Sequence, residues 1–420
     1  MPSAQNRRRV VVVADQAASS LSNVVVAVLV ARSFPDDVEP FAAFSLAIMV
    51  FQFLVGGVRG LVFEPVLSLY PDDAPAVRRA ILPGYLGATV GVGVLLAVLI
   101  GGVGAAIGGL VGAALVALAV VLPVVLVQDA WRYMFLVDRP TAGLAIDLMW
   151  LAASCVAIVL VPAGSDIGWY VVAWGGGGAL GAVAATAIGR HLPAPRRAWS
   201  YLVEHRELGW RFLVEFVTAQ AAFYASLLAC GLILGLDDYG AVRAGYLFIG
   251  PVLTLQAGII LSVLPEGVRL RDRPARLVRL ALSASGVIVA ATIGWTLVGV
   301  LMPESIGTAL FGPTWLQTHD LLIPIGLTMS GMGLVAGGLV GVRSLDGTRG
   351  IGVRLRSVPF QLVCPLAGAA AGGVVGFTLG LALGQAASAA LWWSAVTRIV
   401  RERSSEADLD GRLAPTSAVR

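Results

Sequence analysis

The run ILPGYLGATVGVGVLLAVLIGG, residues 81–102, holds 22 residues and not one charged side chain. At ~1.5 Å per helical residue it covers ~33 Å, enough to cross ~30 Å of hydrocarbon. Lipid offers no partner to backbone N–H and C=O groups, and the run is too long for a barrel strand, so it reads as a spanning helix. Similar runs fill the chain. Of its 420 residues 58% are hydrophobic and 13% charged, against ~45–50% and ~25% in soluble domains. Twelve spans are predicted, at 10–31, 41–63, 81–102, 106–127, 141–162, 167–189, 211–234, 241–264, 281–302, 320–342, 358–376 and 378–397. Spans three and four are expected to meet at a corner of Gly101, Gly102 and Gly104, and the last two at Gly372 to Gly376. The fold class is therefore an all-α polytopic membrane protein.

The same composition excludes other classes. A disordered chain needs low hydrophobicity and high charge, the reverse of this one. Every one of the 29 basic residues is arginine, and without lysine there is no Walker-type phosphate loop and no Schiff-base chemistry. Three cysteines (Cys155, Cys230, Cys364) make no disulfide framework and read as small apolar fillers. His191, His205 and His319 are far apart and show no metal-ligand spacing. No cofactor, metal or nucleic-acid partner is expected. The first span follows Arg7, Arg8 and Arg9 as a signal peptide would, but Asp15, Gln16 and Asn23 interrupt it, so it reads as a retained helix.

Arginine placement sets the orientation, because cytoplasmic loops keep positive charge. With twelve spans, 26 arginines fall on the side of the N-terminus, including Arg78, Arg79, Arg132, Arg139 and the clusters after Arg190, Arg269 and Arg343. Only Arg32 and Arg243 fall opposite, and Arg59 lies within a span. Both termini are predicted to be cytoplasmic and the protein to reside in the cell membrane.

The longest interior loop divides the chain into an N-terminal six-helix lobe (1–189), a cytoplasmic linker (190–210) and a C-terminal six-helix lobe (211–400), followed by a polar tail (401–420) expected to be disordered. The linker carries Trp199, Tyr201, Leu202, Leu208 and Trp210 among arginines, the pattern of an amphipathic surface helix. An offset near 201 aligns Asp15 with Glu215, Asp36-Asp37 with Asp237-Asp238, Glu64-Pro65 with Pro265-Glu266 and Arg78 with Arg279. Halves with an even number of spans repeat in parallel, about an axis along the membrane normal. Gly104, Gly108 and Gly112, then Gly333, Gly337 and Gly341, then Gly372, Gly376, Gly380 and Gly384 form four-residue ladders, which let helices approach closely in lipid. The tail's Asp408-Leu-Asp410 has the DxD form of a metal site, but alone in a polar tail it carries no weight.

Ionisable groups inside spans are the candidate functional residues, since each costs ~2.5–3.5 kcal/mol at a helix centre. Asp15 in span one, Arg59 and Glu64 in span two, Asp147 in span five and Glu215 in span seven fall at nearly one depth, in the cytoplasmic third. Asp15, Ser19 and Ser22, with Gln16, Ser20 and Asn23 beside them, make one face of span one polar. Gln256 sits mid-span in span eight. A polar face in lipid must turn towards protein or water, and a vestibule between the lobes, open to the cytoplasm, is the expected site. Snorkelling towards headgroups and a purely structural Arg59–Glu64 pair are the plainer alternatives.

The stretch Asp15-Gln-Ala-Ala-Ser-Ser-Leu-Ser-Asn23, then Ala31-Arg32 with an acidic loop, Arg59-Gly-Leu-Val-Phe-Glu-Pro65 and Phe311-Gly-Pro-Thr-Trp315, resembles polysaccharide flippases. These belong to the multidrug/oligosaccharidyl-lipid/polysaccharide (MOP) exporter superfamily, whose folds are two six-helix lobes. The resemblance implies movement of a lipid-linked sugar to the outer leaflet, driven by an H+ or Na+ gradient or by membrane potential. It implies that Arg59 faces the carrier's anionic diphosphate, which arginine suits through bidentate contacts. Arg32 would lie nearer the outer mouth, and Asp15 matches the acidic residue that related drug exporters use for cation coupling. One identifiable in-span arginine is fewer than such flippases often carry, which favours a less anionic glycolipid.

Three other readings compete. One is an ion-coupled drug exporter of the same superfamily. A major-facilitator transporter would need a Gly-x-x-x-Asp-Arg/Lys motif that the loop Ser68 to Arg79 lacks. A membrane glycan polymerase or glycosyltransferase would need a larger outer loop than Pro303 to His319. The chain is not expected to be an enzyme.

Overall fold

The structure, a computed structural model, describes residues 22–35, 37–70 and 75–413, and these are helical almost throughout, with no strand among them. Ten of the described helices are long and apolar enough to cross a membrane. In chain order they and their shorter neighbours are α1 (Ser22–Ser33), α2 (Glu39–Val58), a π-helical turn (Arg59–Phe63), α3 (Glu64–Leu69), α4 (Pro75–Ile107), α5 (Gly109–Asp138), α6 (Pro140–Val159) and α7 (Ile167–Gly189). There follow α8 (Ala198–Glu204), α9 (Arg206–Leu234), α10 (Leu236–Phe248), α11 (Gly250–Arg269), α12 (Pro274–Val300), α13 (Glu304–Phe311), α14 (Thr314–Asp346) and α15 (Gly350–Leu413), which bends at Gly372 and Gly373.

Two compact units emerge. The first runs to Pro251 and takes in Met302–Asp320; the second comprises Val252–Leu301 and the chain from Leu321 onward. The first unit is centred on α2, α5 and α7, whose buried faces hold Phe41, Phe44 and Trp131, with Phe63 of the π-turn and Tyr85 of α4 beside them. Trp131 stacks on Phe135 and donates its indole N–H to Thr186 Oγ1 at 3.1 Å, so its one polar atom is satisfied. The segment 302–320 is tied to this unit by aromatic packing of Trp315 on Phe248 and Phe311, and by Thr318 Oγ1, which donates to Ala241 O at 3.1 Å.

Among the helix ends that differ from the sequence expectation, three have a plain local cause. The α4–α5 corner falls at Gly108 (φ 68°) and Gly109 (φ 62°), not at Gly101–Gly104, because only these two glycines adopt the left-handed backbone a tight reversal needs. Gly104 instead packs backbone to backbone on Gly112. Helix α5 does not stop at residue 127 with its apolar run. Nothing breaks it before Arg139-Pro140, where the pre-proline residue leaves helical space (φ −146°, ψ 66°). Span eight is not one helix. Pro251 lacks the N–H that would close on Leu247, and the chain breaks at Ile249 into α10 and α11.

In the second unit, glycines set the spacing. Gly333 and Gly337 of α14 face Ile288 and Ser285 of α12, and Gly341 faces Val396 of α15. Ser285 Oγ donates to Gly333 O at 3.0 Å across that contact. The two arms of α15 fold back at Gly372 and Gly373 (φ 57°), the cluster in which the corner was expected. Gly376, Gly380 and Gly384 on one arm lie against the backbone of Gly368, Cys364 and Phe360 on the other.

Replacing Gly380 by leucine must therefore part the hairpin. We expect a loss of at least ~1–3 kcal/mol, seen as a lower unfolding midpoint in detergent. Gly286→Leu, at a helical position with nothing within 4 Å, should leave the midpoint unchanged.

Candidate functional site

A charged relay runs through the core of the first unit. It starts at the π-helical turn. Pro65 has no N–H, so the ladder ahead of it cannot close in the normal register. It widens instead, with the Glu64 N–H bonding to Arg59 O. Single π-turns of this kind are frequent at functional sites. The open carbonyls find partners from elsewhere: Tyr201 of α8 donates its hydroxyl to Val62 O at 2.7 Å. Gly209 of α9, having no side chain, comes close against Leu61 O, and Gly60 lies against the Phe212 backbone. The turn is thus clamped, and it aims Arg59 across to α5.

Arg59 meets Asp129 bidentately, Nε to Oδ2 at 2.8 Å and Nη2 to Oδ1 at 2.6 Å. Asp129 also lies 3.9 Å from Arg132 Nη1, one turn along α5. Arg132 Nε is 2.8 Å from Asp147 Oδ2 on α6, an ion pair without hydrogen-bond alignment. Gln128 Nε2 then donates to Asp147 Oδ1 at 3.0 Å. Asp129, Arg132 and Asp147 are each under a tenth exposed, whereas Arg59 keeps 30% of its side chain accessible. Tyr133 lies beneath the Arg59 guanidinium, 5.4 Å from Cζ to ring centre. Phe63 packs between Tyr133 and Tyr85, and Tyr85 donates to Ala130 O at 3.0 Å, so the relay rests on an ordered aromatic bed.

The predicted residues are distributed unevenly around this relay. Arg59 and Asp147 belong to it, joined through Asp129 and Arg132. Glu64 is half-buried at the start of α3, and its charge acts on Tyr133. Glu215 is half-buried on α9, the helix that packs on the π-turn. Asn23 is exposed on α1, and Gln256 is half-buried on α11 in the second unit. Asp15 and Ser19 lie outside the described residues.

Gln128, Asp129 and Arg132 were not among the predicted site residues, and Arg132 was assigned to an inner loop. That assignment is corrected: Arg132 is 6% exposed inside α5. The run Gln128-Asp-Ala-Trp-Arg132 carries an i, i+3 acid–base pair with no breaker before Pro140, and that pattern could have extended the helix. Arg243, predicted in an outer loop, is also helical, on α10, and 7% exposed; its Nε has no hydrogen-bond partner among the described residues. Arg243 and Arg59 both act electrostatically on the Tyr224 hydroxyl of α9. Arg132 and Arg243 are thus buried helical arginines of this unit beside the partly accessible Arg59, where Arg59 alone was expected within a span.

Outside the spans, Tyr201 is held protonated, since burial raises its phenol well above the usual range. Its ring stacks on His205 at 4.3 Å, and His205 Nδ1 bonds with Tyr201 O at 2.9 Å.

No protein-family model and no curated protein matches the chain. Solved structures do. It is similar to a multidrug resistance MATE family transporter of the MOP superfamily in an inward-facing conformation (TM-score 0.70, 13% identity, 92% of this chain and 96% of that one). It is similar to lipid II flippase MurJ in an inward closed conformation (TM-score 0.68, 11% identity, 90% and 86%). The outward-facing MATE transporter also matches (TM-score 0.60, 12% identity, 94% and 95%). The chain thus has the fold seen in these transporters and in the MurJ flippase.

Breaking the relay at its centre should cost more than breaking it at its end. Asp129→Asn leaves Arg59 and Arg132 facing each other and should lower stability by ~3–5 kcal/mol, the usual cost of stranding a buried charge. Arg59→Gln, with its side chain partly accessible and Asp129 still near Arg132, should cost less. Tyr201→Phe, which strands the Val62 carbonyl, should cost ~1–2 kcal/mol. Denaturant unfolding of the three variants beside the parent checks the order.

Proposed function

We propose that the protein is a flippase of the MOP superfamily's polysaccharide branch, moving a lipid-linked sugar from the inner to the outer leaflet of the cell membrane for cell-surface polysaccharide synthesis. Twelve spans in two six-helix lobes (1–189 and 211–400), joined by the linker 190–210 and with both termini cytoplasmic, alternate access to the two leaflets. The observation that supports this reading above the others is Arg59: a cation within a helix, fixed in orientation by a bidentate carboxylate, yet 30% accessible. A guanidinium presented in this way suits a phosphate or diphosphate headgroup.

Asp129 is placed to govern that cation, because it already lies between two arginines, at 2.6 Å from Arg59 and 3.9 Å from Arg132. When a headgroup phosphate takes Arg59, Asp129 moves fully to Arg132. Protonation of Asp147, or cation binding there, releases Arg132 for Asp129 and so favours the phosphate-bound arrangement. That exchange links an H+ or Na+ gradient to headgroup binding. Asp15, Ser19, Asn23, Glu64, Glu215 and Gln256 are proposed to line the same path.

A second reading, an ion-coupled exporter of drugs or other small molecules, is favoured by the relay's charge. Its two arginines and two aspartates sum to zero, which suits a site built for ion exchange as well as one built for an anion.

Reconstituted vesicles separate the two. With a fluorescent lipid-linked sugar scored by leaflet accessibility, the parent protein should move it, and Arg59→Gln should be at least ~10-fold slower, with no rescue by Arg59→Lys because the fork geometry is lost. Asp147→Asn should flatten the dependence on the pH gradient. Glycolipid flipping at the parent rate by both Arg59→Gln and Asp15→Asn would end the site assignment. Drug-driven ion flux with no glycolipid movement would establish the second reading instead.

A further inference from the structure

The second unit carries a basic pocket that the transport reading leaves unused. It is a cavity of about 290 Å³ between the two arms of α15, lined by Arg349, Gly352, Arg356, Ser394 and Arg398 among others. Arg349 is answered by two carboxylates, Asp346 Oδ2 at 2.9 Å from its Nε and Glu402 at its Nη1. Arg356 and Arg398 have no ion-pair partner among the described residues. Gly352 adds no side chain, and a Cβ there would meet nothing within 4 Å, so the wall between the arginines stays open. Arg354, next to the pocket, places its guanidinium 6.0 Å over the buried ring of Trp392, which holds that stretch of α15 against its returning arm.

The pocket's depth follows from the hairpin. The bend at Gly372 and Gly373 is one end of the two arms. Arg356 and Arg349 are about 16 and 23 residues from it, ~24 and ~35 Å at ~1.5 Å per residue. An apolar hairpin spanning ~30 Å of hydrocarbon puts those arginines at the headgroup level of the opposite face. On the same arm, Phe360 and Val363 are 43% and 63% exposed and follow Arg356 at i+4 and i+7, on its face of the helix. They form an apolar track running from the arginines towards the bend.

We propose that this pocket binds the phosphate of an anionic membrane phospholipid. The diester sits between Arg356 and Arg398, and the acyl chains lie along the Phe360–Val363 track. Basic pockets between spanning helices near the membrane surface suit such headgroups, and two unanswered guanidiniums are what a phosphodiester needs. A free inorganic anion would satisfy the arginines alone and leave the apolar track without a role. The bound lipid ties the two arms together at the end far from their bend, and so stabilises the last hairpin.

The test is native mass spectrometry on the purified full-length chain in detergent, supplied with phosphatidylglycerol or with phosphatidylcholine of the same acyl chains. The expected result is phosphatidylglycerol retention at least about 10-fold above phosphatidylcholine. Arg356→Gln with Arg398→Gln should abolish that preference, while Arg279→Gln, an exposed arginine of α12, keeps it. Ser394→Phe fills the cavity without changing any charge and should lose the lipid equally; it decides the matter where the double variant folds poorly. Equal retention of the two lipids, or an undiminished preference in Ser394→Phe, would overturn the proposal. So would displacement of phosphatidylglycerol by millimolar inorganic phosphate, which would mark a site for a free anion.

Discussion

Hydrocarbon supplies no hydrogen-bond partner and almost no dielectric screening, so every backbone group and charge between the two surfaces must be answered from within the chain. Helices follow directly, since they satisfy their own backbone. Where the helix ladder fails, the failure is repaired in place. Pro65 and the π-turn leave carbonyls open at residues 61–62; Tyr201 reaches in to bond one, and the bare Gly209 brings another helix against the next. The same requirement brings charges together. Arg59, Asp129, Arg132 and Asp147 are tolerable inside the first unit because each carboxylate meets a guanidinium.

That relay is neutral in sum but not uniform. Its interior members are almost fully enclosed, while Arg59 at one end remains partly accessible. In a low-dielectric surrounding, a change of charge at one member is felt at the next without screening. Asp129 has two arginines within 4 Å, so two pairings compete for one carboxylate, and a small perturbation at either end can shift the balance. Under the proposed function, a binding cation and a coupling carboxylate would be parts of one electrostatic unit rather than separate sites.

How much of this was legible depended on the kind of signal. The uncharged run 81–102 and its counterparts announce helices and bilayer together, because length and apolarity are local properties. Arg59 stood out for the same reason, as a charge inside an apolar run. Asp129 and Arg132 did not, because the apolar run of α5 ends near residue 127 while the helix continues to Asp138. Hydropathy ends where lipid contact ends; the helix ends where a residue breaks it. Arg243 was misplaced for a related reason: hydropathy blurred the break at Pro251, so the short helix before it was read as loop and span. The glycine ladders were readable as close contacts, but their partners were not, since Gly333 and Gly337 face one neighbour and Gly341 another.

The sequence by itself determined the class: an all-helical polytopic membrane chain, with its apolar spans, a glycine corner within residues 372–376 and an arginine and an aspartate of the relay. These follow from composition and spacing, which act over one or two helical turns. Only the tertiary structure decided which charges meet. Arg59 and Asp129 are 70 residues apart and Tyr201 is 139 from Val62, and no periodicity along a helix encodes which of its faces another helix will cover. Pairing depends on how several helices pack at once, and that information resides in their combined shapes.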